Sequence, residues 1–261
     1  MSEILKEIIE HKKKEIAELK DTIDERVFAM SPLYKKTRKR LKKVMKEHEG
    51  PGIIAEFKRH SPSKGMINAM AKPNQVAKEY QNAGAVAMSV LTDEKYFRGQ
   101  YDDLKLARKN CQMPLLRKDF IIDPYQVSHA KALGADIILL IASALSPQQC
   151  QDLAGKCKEL KLDVLLEIHN EDELGYIGDN IDFVGVNNRD LKTMTTDINV
   201  SKKLIKHIPD KYLKVSESGL NNPETVKELH ALGFDLFLIG EYFMIDDAPG
   251  FMAEEFINSL G

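Results

Sequence analysis

The sequence predicts a single (β/α)8 TIM barrel with an N-terminal helical extension, on three observations. Short apolar runs recur eight times from residue 53 onward, helical patterns lie between them, and most runs end in charged or amide side chains. The starts of the runs are separated by roughly 20–32 residues, the length of one strand, one loop and one helix, and alternation of this kind builds a parallel sheet. Eight such units in about 200 residues fit a closed barrel, for which about 250 residues is typical. An open doubly wound sheet is the rival, but no GxGxxG follows the first run and polar residues punctuate nearly every strand end. Residues 1–50 are then a helical extension packed on the barrel, and residues 51–261 are the barrel itself.

The extension opens with an amphipathic helix. Ile4, Leu5, Ile8, Ile9, Ile16, Leu19 and Ile23 recur at helical spacing, and the Glu and Lys residues between them make up its polar face. The basic run "YKKTRKRLKK", residues 34–43, follows. It reads as a solvated helix face in preference to a nucleic-acid site, because it lacks interleaved aromatics and the chain around it has balanced charge.

The barrel strands are expected at "IIAEFK", "AVAMSVLT", "PLLRKDF", "DIILLIAS", "DVLLEIH", "FVGVNN", "LKVSES" and "LFLIGE". Helices are expected at "PNQVAKEYQNAG", "YQVSHAKALG", "SPQQCQDLAGKCKELK" and "NPETVKELHALG", several of which close on Gly where a C-cap belongs.

Composition narrows the partners. The 261 residues include 38 basic and 40 acidic ones, a net charge of -2, which gives no global attraction for nucleic acid or an anionic membrane. Cys111, Cys150 and Cys157 are odd in number and lack CxxC spacing, so neither a disulfide framework nor a zinc site is expected. A cytoplasmic protein is the expectation. The N-terminal residues are too charged for a signal peptide, and no apolar run approaches the roughly 20 residues that span a bilayer.

In a barrel of this type the carboxyl ends of the strands carry the active site. Alternation places Ile54, Glu56 and Lys58 on one face of the first strand, so that face becomes polar as the strand ends. Lys118 closes the third strand, Glu167 and His169 the fifth, Asn187 and Arg189 the sixth, and Glu217 and Ser218 the seventh. Gly219 and Gly240 follow the last two strands, where barrel loops frequently bind phosphate, and Lys58, Arg189, Ser61 and Ser218 are candidates to supplement such a site. No HExxH pair or histidine cluster is present, so no metal and no cofactor is expected. His169 reads either as a base or as a hydrogen-bonded structural residue. A site built on Lys and Glu runs either proton transfer or a Schiff base.

The motifs "IIAEFKRHSPSKG", "LTDEKYFRG", "LLRKDFIIDPYQV", "LLEIHNEDEL", "VGVNNRDL", "VSESGL" and "LIGEYFM", in this order, resemble the indole-3-glycerol-phosphate synthase family across essentially the whole chain. The leading "ILKEIIEHKKKEIA" is similar to the family's first helix, which helps to cover the substrate mouth. The resemblance implies a small-molecule substrate, 1-(o-carboxyphenylamino)-1-deoxyribulose 5-phosphate, which is cyclised, decarboxylated and dehydrated in tryptophan biosynthesis. It also implies roles. Lys118 matches the lysine that meets the substrate ketone, and Lys58 the one that meets the carboxylate and shares acid duty. Glu167 matches the residue of the dehydration step, and Glu56 its partner, which positions hydroxyls and holds Lys118 or the substrate. Asn187 and Glu217 match hydrogen-bonding residues at the anthranilate and hydroxyl groups. Phe97 matches an aromatic beside the anthranilate ring, while Arg189, Ser218, Gly219, Gly240 and Glu241 map to the phosphate end.

An efficient lysine acid at neutral pH would titrate near 7–8, which burial and the second lysine favour and the carboxylates oppose. Three stretches depart from the family's pattern: His60 replaces a small residue, Gln100 follows "FRG", and "EYFMIDDAPG" follows the last strand. His60 is expected to face solvent. The rivals are a related barrel such as phosphoribosylanthranilate isomerase, a Schiff-base aldolase, and a non-catalytic barrel scaffold. The two lysines count against the first, and the complete site against the last. The expected assembly is a monomer or weak dimer.

Overall fold

Side chains alternate across a strand, so a closed parallel barrel sorts each strand into an inward set and an outward set. The computed structural model describes residues 2–36 and 39–261; Thr37 and Arg38, part of the basic run, lie outside the described residues. Its barrel strands are β1 (Gly52–Phe57), β2 (Ala87–Leu91), β3 (Leu115–Lys118), β4 (Ile137–Ile141), β5 (Asp163–Ile168), β6 (Phe183–Asn187), β7 (Leu213–Glu217) and β8 (Leu236–Ile239). All barrel pairings are parallel. Ile54 stands opposite both Ala87 of β2 and Leu238 of β8, which closes the ring of eight.

The crossovers follow local rules. Helices Pro73–Asn82, Pro124–Leu133, Pro147–Glu159, Pro223–Ala231 and Pro249–Asn258 all have proline in the first turn, where its fixed φ suits the helix and its missing N–H is not needed. Asp123, Ser146 and Asn222 cap three of them with side-chain oxygens. One crossover differs from the expected strand–helix alternation. Between β5 and β6 the chain forms a 3-10 turn, Glu171–Tyr176, because this is the shortest unit and Gly175 and Gly178 interrupt it. The loop after β1 also holds an unexpected hairpin that pairs His60–Ser61 with Gly65–Met66. It changes the place of His60: the ring is partly buried, with Nδ1 2.8 Å from the carbonyl oxygen of Tyr96, and does not face solvent freely.

Two apolar cores result. Ile53, Ala55 and Phe57 face outward into the layer between barrel and helices, whereas Ile54, Leu116, Leu139, Leu165, Phe183, Val215 and Leu236 fill the interior. Leu41, Val44 and Met45 of a short helix, α2 (Leu41–Glu47), complete the interior core from below. Arg40 Nε lies 2.5 Å from Asp163 Oδ1 and Lys42 Nζ 3.4 Å from Asp182 Oδ1, so part of the basic run is paired with the barrel floor. The three cysteines are free and buried, and no helix among the described residues is long and apolar enough to cross a membrane.

The first helix, α1 (Glu3–Thr22), buries Leu5, Ile8, Ile9 and Ile16; Leu5 and Ile8 line the cavity at the opposite end of the barrel, and Ile16 packs with Phe28 and Tyr125. Its polar face is not wholly solvated. Lys12 is 0% exposed, a departure from the amphipathic reading that has a sequence basis: it occupies the slot between Ile8 and Ile16 in the apolar stripe.

Leu41 is 1% exposed and sits where little can collapse into its place. Truncation by Leu41→Ala is expected to cost about 2–5 kcal/mol, read as a lower urea midpoint at an unchanged slope.

Candidate active site

Along the inward positions the barrel changes from apolar at its floor to polar at the carboxyl ends of the strands. Glu56, Ser89, Lys118, Glu167, Asn187 and Glu217 form the polar upper layer, beneath a cavity of about 750 Å³. The cavity is lined by Glu56, Lys58, Ser61, Phe97, Lys118, Glu167, Asn187, Arg189, Glu217, Ser218, Gly219, Gly240 and Glu241 together with Ile4, Leu5 and Ile8 of α1. Every candidate site residue named from the sequence thus faces one space, except His169.

Lys118 is the hub. Its Nζ donates to Glu167 Oε2 at 2.9 Å and to Glu217 Oε2 at 2.5 Å, joining β3 to strands two and four places round the ring. Asn187 Nδ2 donates to Glu167 Oε1 at 3.0 Å, and Asn187 Oδ1 accepts the backbone N–H of Arg189, also at 3.0 Å. Glu56 does not bond Lys118. It pairs with Lys58 at 2.9 Å and accepts from Ser89 Oγ at 3.3 Å. Gly240 makes room for it, since a Cβ there would stand 2.6 Å from Glu56 Oε1.

The far end of the cavity has a different character. Arg189 Nη1 donates to Ser63 Oγ at 2.5 Å, and Glu241 lies 3.8 Å from the same guanidinium and 3.3 Å from Lys64 Nζ. Ser61 Oγ accepts the backbone N–H of Lys64 at 3.3 Å within the loop after β1, and Ser63 and Lys64 tie that loop to this rim. After β7 the chain turns through two left-handed residues, Ser218 (φ 71°) and Gly219 (φ 76°), the second of which a side chain would strain. At the opposite end Phe97 packs near Phe120, ring centroids 6.2 Å apart, and supplies an aromatic wall.

The electrostatics follow from burial and these pairings. Burial opposes the ammonium of Lys118, but the charges of Glu167, Glu217 and Glu56 outweigh it and hold the lysine above its ordinary range. The carboxylates therefore prevail over the lowering toward neutrality that a lysine acid would need if it worked alone. Burial also opposes the Glu167 carboxylate, and Lys118 with His169 and Asn187 keeps it below the usual range. Glu217 moves the other way: burial, with the charges of Glu167 and Glu56, lifts it despite Lys118, and its buried Oε1 meets no donor among the described residues.

His169 is held outside the cavity. Its Nδ1 lies 3.2 Å from Glu173 Oε2 and its Nε2 3.3 Å from Glu167 Oε1, the latter an ion-pair contact without hydrogen-bond alignment. Burial alone would lower the imidazole, but the two flanking carboxylates override it and raise His169 to about 10. Of the two readings open in the sequence, the geometry is that of a pinned structural cation and not a free base. The inward-facing Ile4, Leu5 and Ile8 and the buried Lys12 were not named as site residues. Helical spacing put all four on one stripe of α1, and the resemblance implied that this helix helps to cover the mouth.

A raised folded-state value stabilises fully below the unfolded pKa and is lost as the pH passes the folded one. For His169 the window runs from about 6.5 to about 10. The stability difference between wild type and His169→Asn, from urea unfolding, is expected to be on the order of 2–4 kcal/mol below this window and to shrink across it.

The chain is similar to known proteins along nearly its whole length. A family model described as indole-3-glycerol phosphate synthase matches residues 5–255. The chain is 45% identical over 260 residues to the indole-3-glycerol phosphate synthase of Bacteroides thetaiotaomicron, covering 100% of both chains. It is 42% identical over 249 residues to that of Thermoanaerobacter pseudethanolicus, covering 94% of each. Among solved structures, tryptophan synthase subunit alpha from Legionella pneumophila superposes with a TM-score of 0.64 at 11% identity, over 86% of this chain and 99% of that one, a likeness of fold. With its barrel closed, its lysine and glutamates gathered at one mouth and its length matched end to end, the chain belongs to the indole-3-glycerol phosphate synthase family.

Proposed function

We propose that this chain converts 1-(o-carboxyphenylamino)-1-deoxyribulose 5-phosphate to indole-3-glycerol phosphate, releasing carbon dioxide and water, with Lys118 and Glu167 as its principal proton-transfer residues. The observation that carries the reading is Lys118 Nζ held at 2.9 and 2.5 Å from two carboxylates in a cavity whose far rim bears Arg189 and the Ser218–Gly219 turn.

The ring carbon that bears the carboxylate attacks the substrate ketone, and its oxygen gathers charge as the bond forms. Lys118 meets that oxygen with a proton, an electrostatic aid that strengthens as charge develops. Because its carboxylate neighbours keep the amine charged, Lys118 suits proton donation better than attack on the ketone as a free amine. Loss of carbon dioxide restores the aromatic ring. Lys58 pairs with the departing carboxylate before that step, exchanging its present partner Glu56 for the substrate. The new hydroxyl then leaves as water and the adjacent ring carbon gives up a proton, for which Glu167 alternates between acid and base. Asn187 and Glu217 orient the hydroxyls, Glu56 positions Lys58, and Phe97 flanks the anthranilate ring. Arg189, Ser61, Ser218, Gly219 and Gly240 receive the phosphate, with Glu241 at the rim.

The extension acts in this reading as part of the catalytic unit, since Ile4, Leu5 and Ile8 line the same cavity. We read the assembly as a monomer or weak dimer. Free buried thiols fit a reducing cytoplasm.

Indole fluorescence would follow turnover by the purified protein. Lys118→Ala and Glu167→Gln are each expected to lower kcat by about 10²–10⁴-fold, and borohydride is expected to trap no adduct. Wild-type protein that binds the substrate without turning it over would overturn the reading.

A further inference from the structure

The interior of this protein contains a second cluster of charge, beside the polar layer around Lys118 and touching the cavity at Asp119. Lys12 of α1 is its centre. The side chain is 0% exposed, and its Nζ lies 2.8 Å from Glu15 Oε2, 2.9 Å from Asp93 Oδ2 and 3.0 Å from Asp119 Oδ1. These carboxylates belong to three different segments: α1 itself, the loop after β2 and the residue that follows Lys118.

Both barrel carboxylates have a second duty. Asp93 Oδ1 accepts the N–H of Tyr96 at 2.8 Å and so caps the turn Glu94–Phe97, which ends on the aromatic wall of the cavity. Asp119 accepts from Thr92 Oγ1 at 2.7 Å, from Arg117 Nη2 at 2.8 Å and from the N–H of Phe120 at 2.8 Å. Arg117, also 0% exposed, donates to Thr92 Oγ1 at 3.0 Å and to the carbonyl of Gln126 at 3.2 Å. Two further ties join α1 to the same region: the Tyr96 hydroxyl donates to Glu7 at 3.0 Å, and the Tyr101 hydroxyl donates to Glu15.

We infer that Lys12 is a positioning residue for the reaction, a latch that sets Phe97 and Lys118 in place as α1 closes over the mouth. The inference rests on the roles given to Phe97 and Lys118 above. Its physical basis is that buried charges must be paired: among the described residues, with α1 undocked, Asp119 would keep only Arg117 as an ion-pair partner, Asp93 would keep none, and Lys12 would lose both barrel carboxylates. Burial opposes the charge on Lys12, and the three carboxylates outweigh it, so the latch holds an ammonium. The same helix supplies Leu5 and Ile8 to the cavity wall, two turns and one turn before Lys12. Docking of the lid and ordering of the two loops are therefore one event.

The test compares full-length wild type, Lys12→Met and Lys12→Arg by steady-state kinetics, thermal melting and amide hydrogen exchange. Lys12→Met is expected to raise KM and lower kcat, with kcat/KM falling about 10–100-fold, the loss typical of misplaced reacting groups. Exchange is expected to quicken in residues 93–99 and 118–121 while β4 and β6 keep their protection. Lys12→Arg, whose planar fork cannot meet three carboxylates from one point, is expected to fall between the two. A lower melting temperature with kcat and KM within about twofold of wild type and unchanged exchange at 93–99 would overturn the inference, leaving Lys12 a structural tie only. Should Lys12→Met not fold, Lys12→Arg is judged by the same criteria. A wild type without turnover would overturn the functional reading instead, and the exchange pattern alone would then decide the latch.

Discussion

Most of the Lys118 side chain is out of water, and an ammonium in that position persists only where opposite charge is held beside it. Glu167 and Glu217 provide that charge from strands remote in sequence, so the pairing exists only once the sheet has closed. Closure in turn demands that the lower interior be apolar and well packed, which the layers around Leu116, Leu165 and Phe183 achieve. The chemistry and the core are consequently stacked along one axis. Apolar layers set the spacing of the strands, and the spacing sets which carboxylates reach the lysine.

Strand alternation extends this ordering outward. In the run Arg117, Lys118, Asp119, the Lys118 side chain pairs with Glu167 and Glu217 while its neighbours join the buried cluster around Lys12, Asp119 also bordering the cavity. Three consecutive residues thus connect the proposed reacting centre with α1. The two charged clusters differ in purpose. The inner one leaves Glu217 raised and one of its oxygens without a donor, a state suited to a site that awaits a ligand. In the outer one Asp119 is held well into its ionised form by Lys12 and Arg117 once the penalty of burial is overcome, which suits a fixed support.

The fold was legible because a parallel barrel repeats one signal eight times, and the inward register at strand ends followed from a period of two. Glu56 could be placed on the cavity side from Ile54 alone. Partner choice was not legible. Nothing in the spacing says that Glu56 would pair with Lys58 in place of Lys118, since that depends on the tilt of the strands and the room left by Gly240. Lys12 was hidden for a different reason: residue type argued for solvent while position in the stripe argued for burial, and the deciding carboxylates lie about eighty and a hundred residues further along the chain. His60 and the Glu171–Tyr176 turn were likewise set by neighbours that no local pattern encodes.

The plug formed by α2 bears on traffic through the barrel. Leu41, Val44 and Met45 seal the narrow end, so the vessel has one neck. The proposed reaction generates a gas molecule and a water molecule deep inside, beneath a product that still carries its phosphate tail. Both by-products must then leave through the mouth by which the reactant came in. The helix lying across that neck, through Ile4, Leu5 and Ile8, borders the path of exit as well as entry.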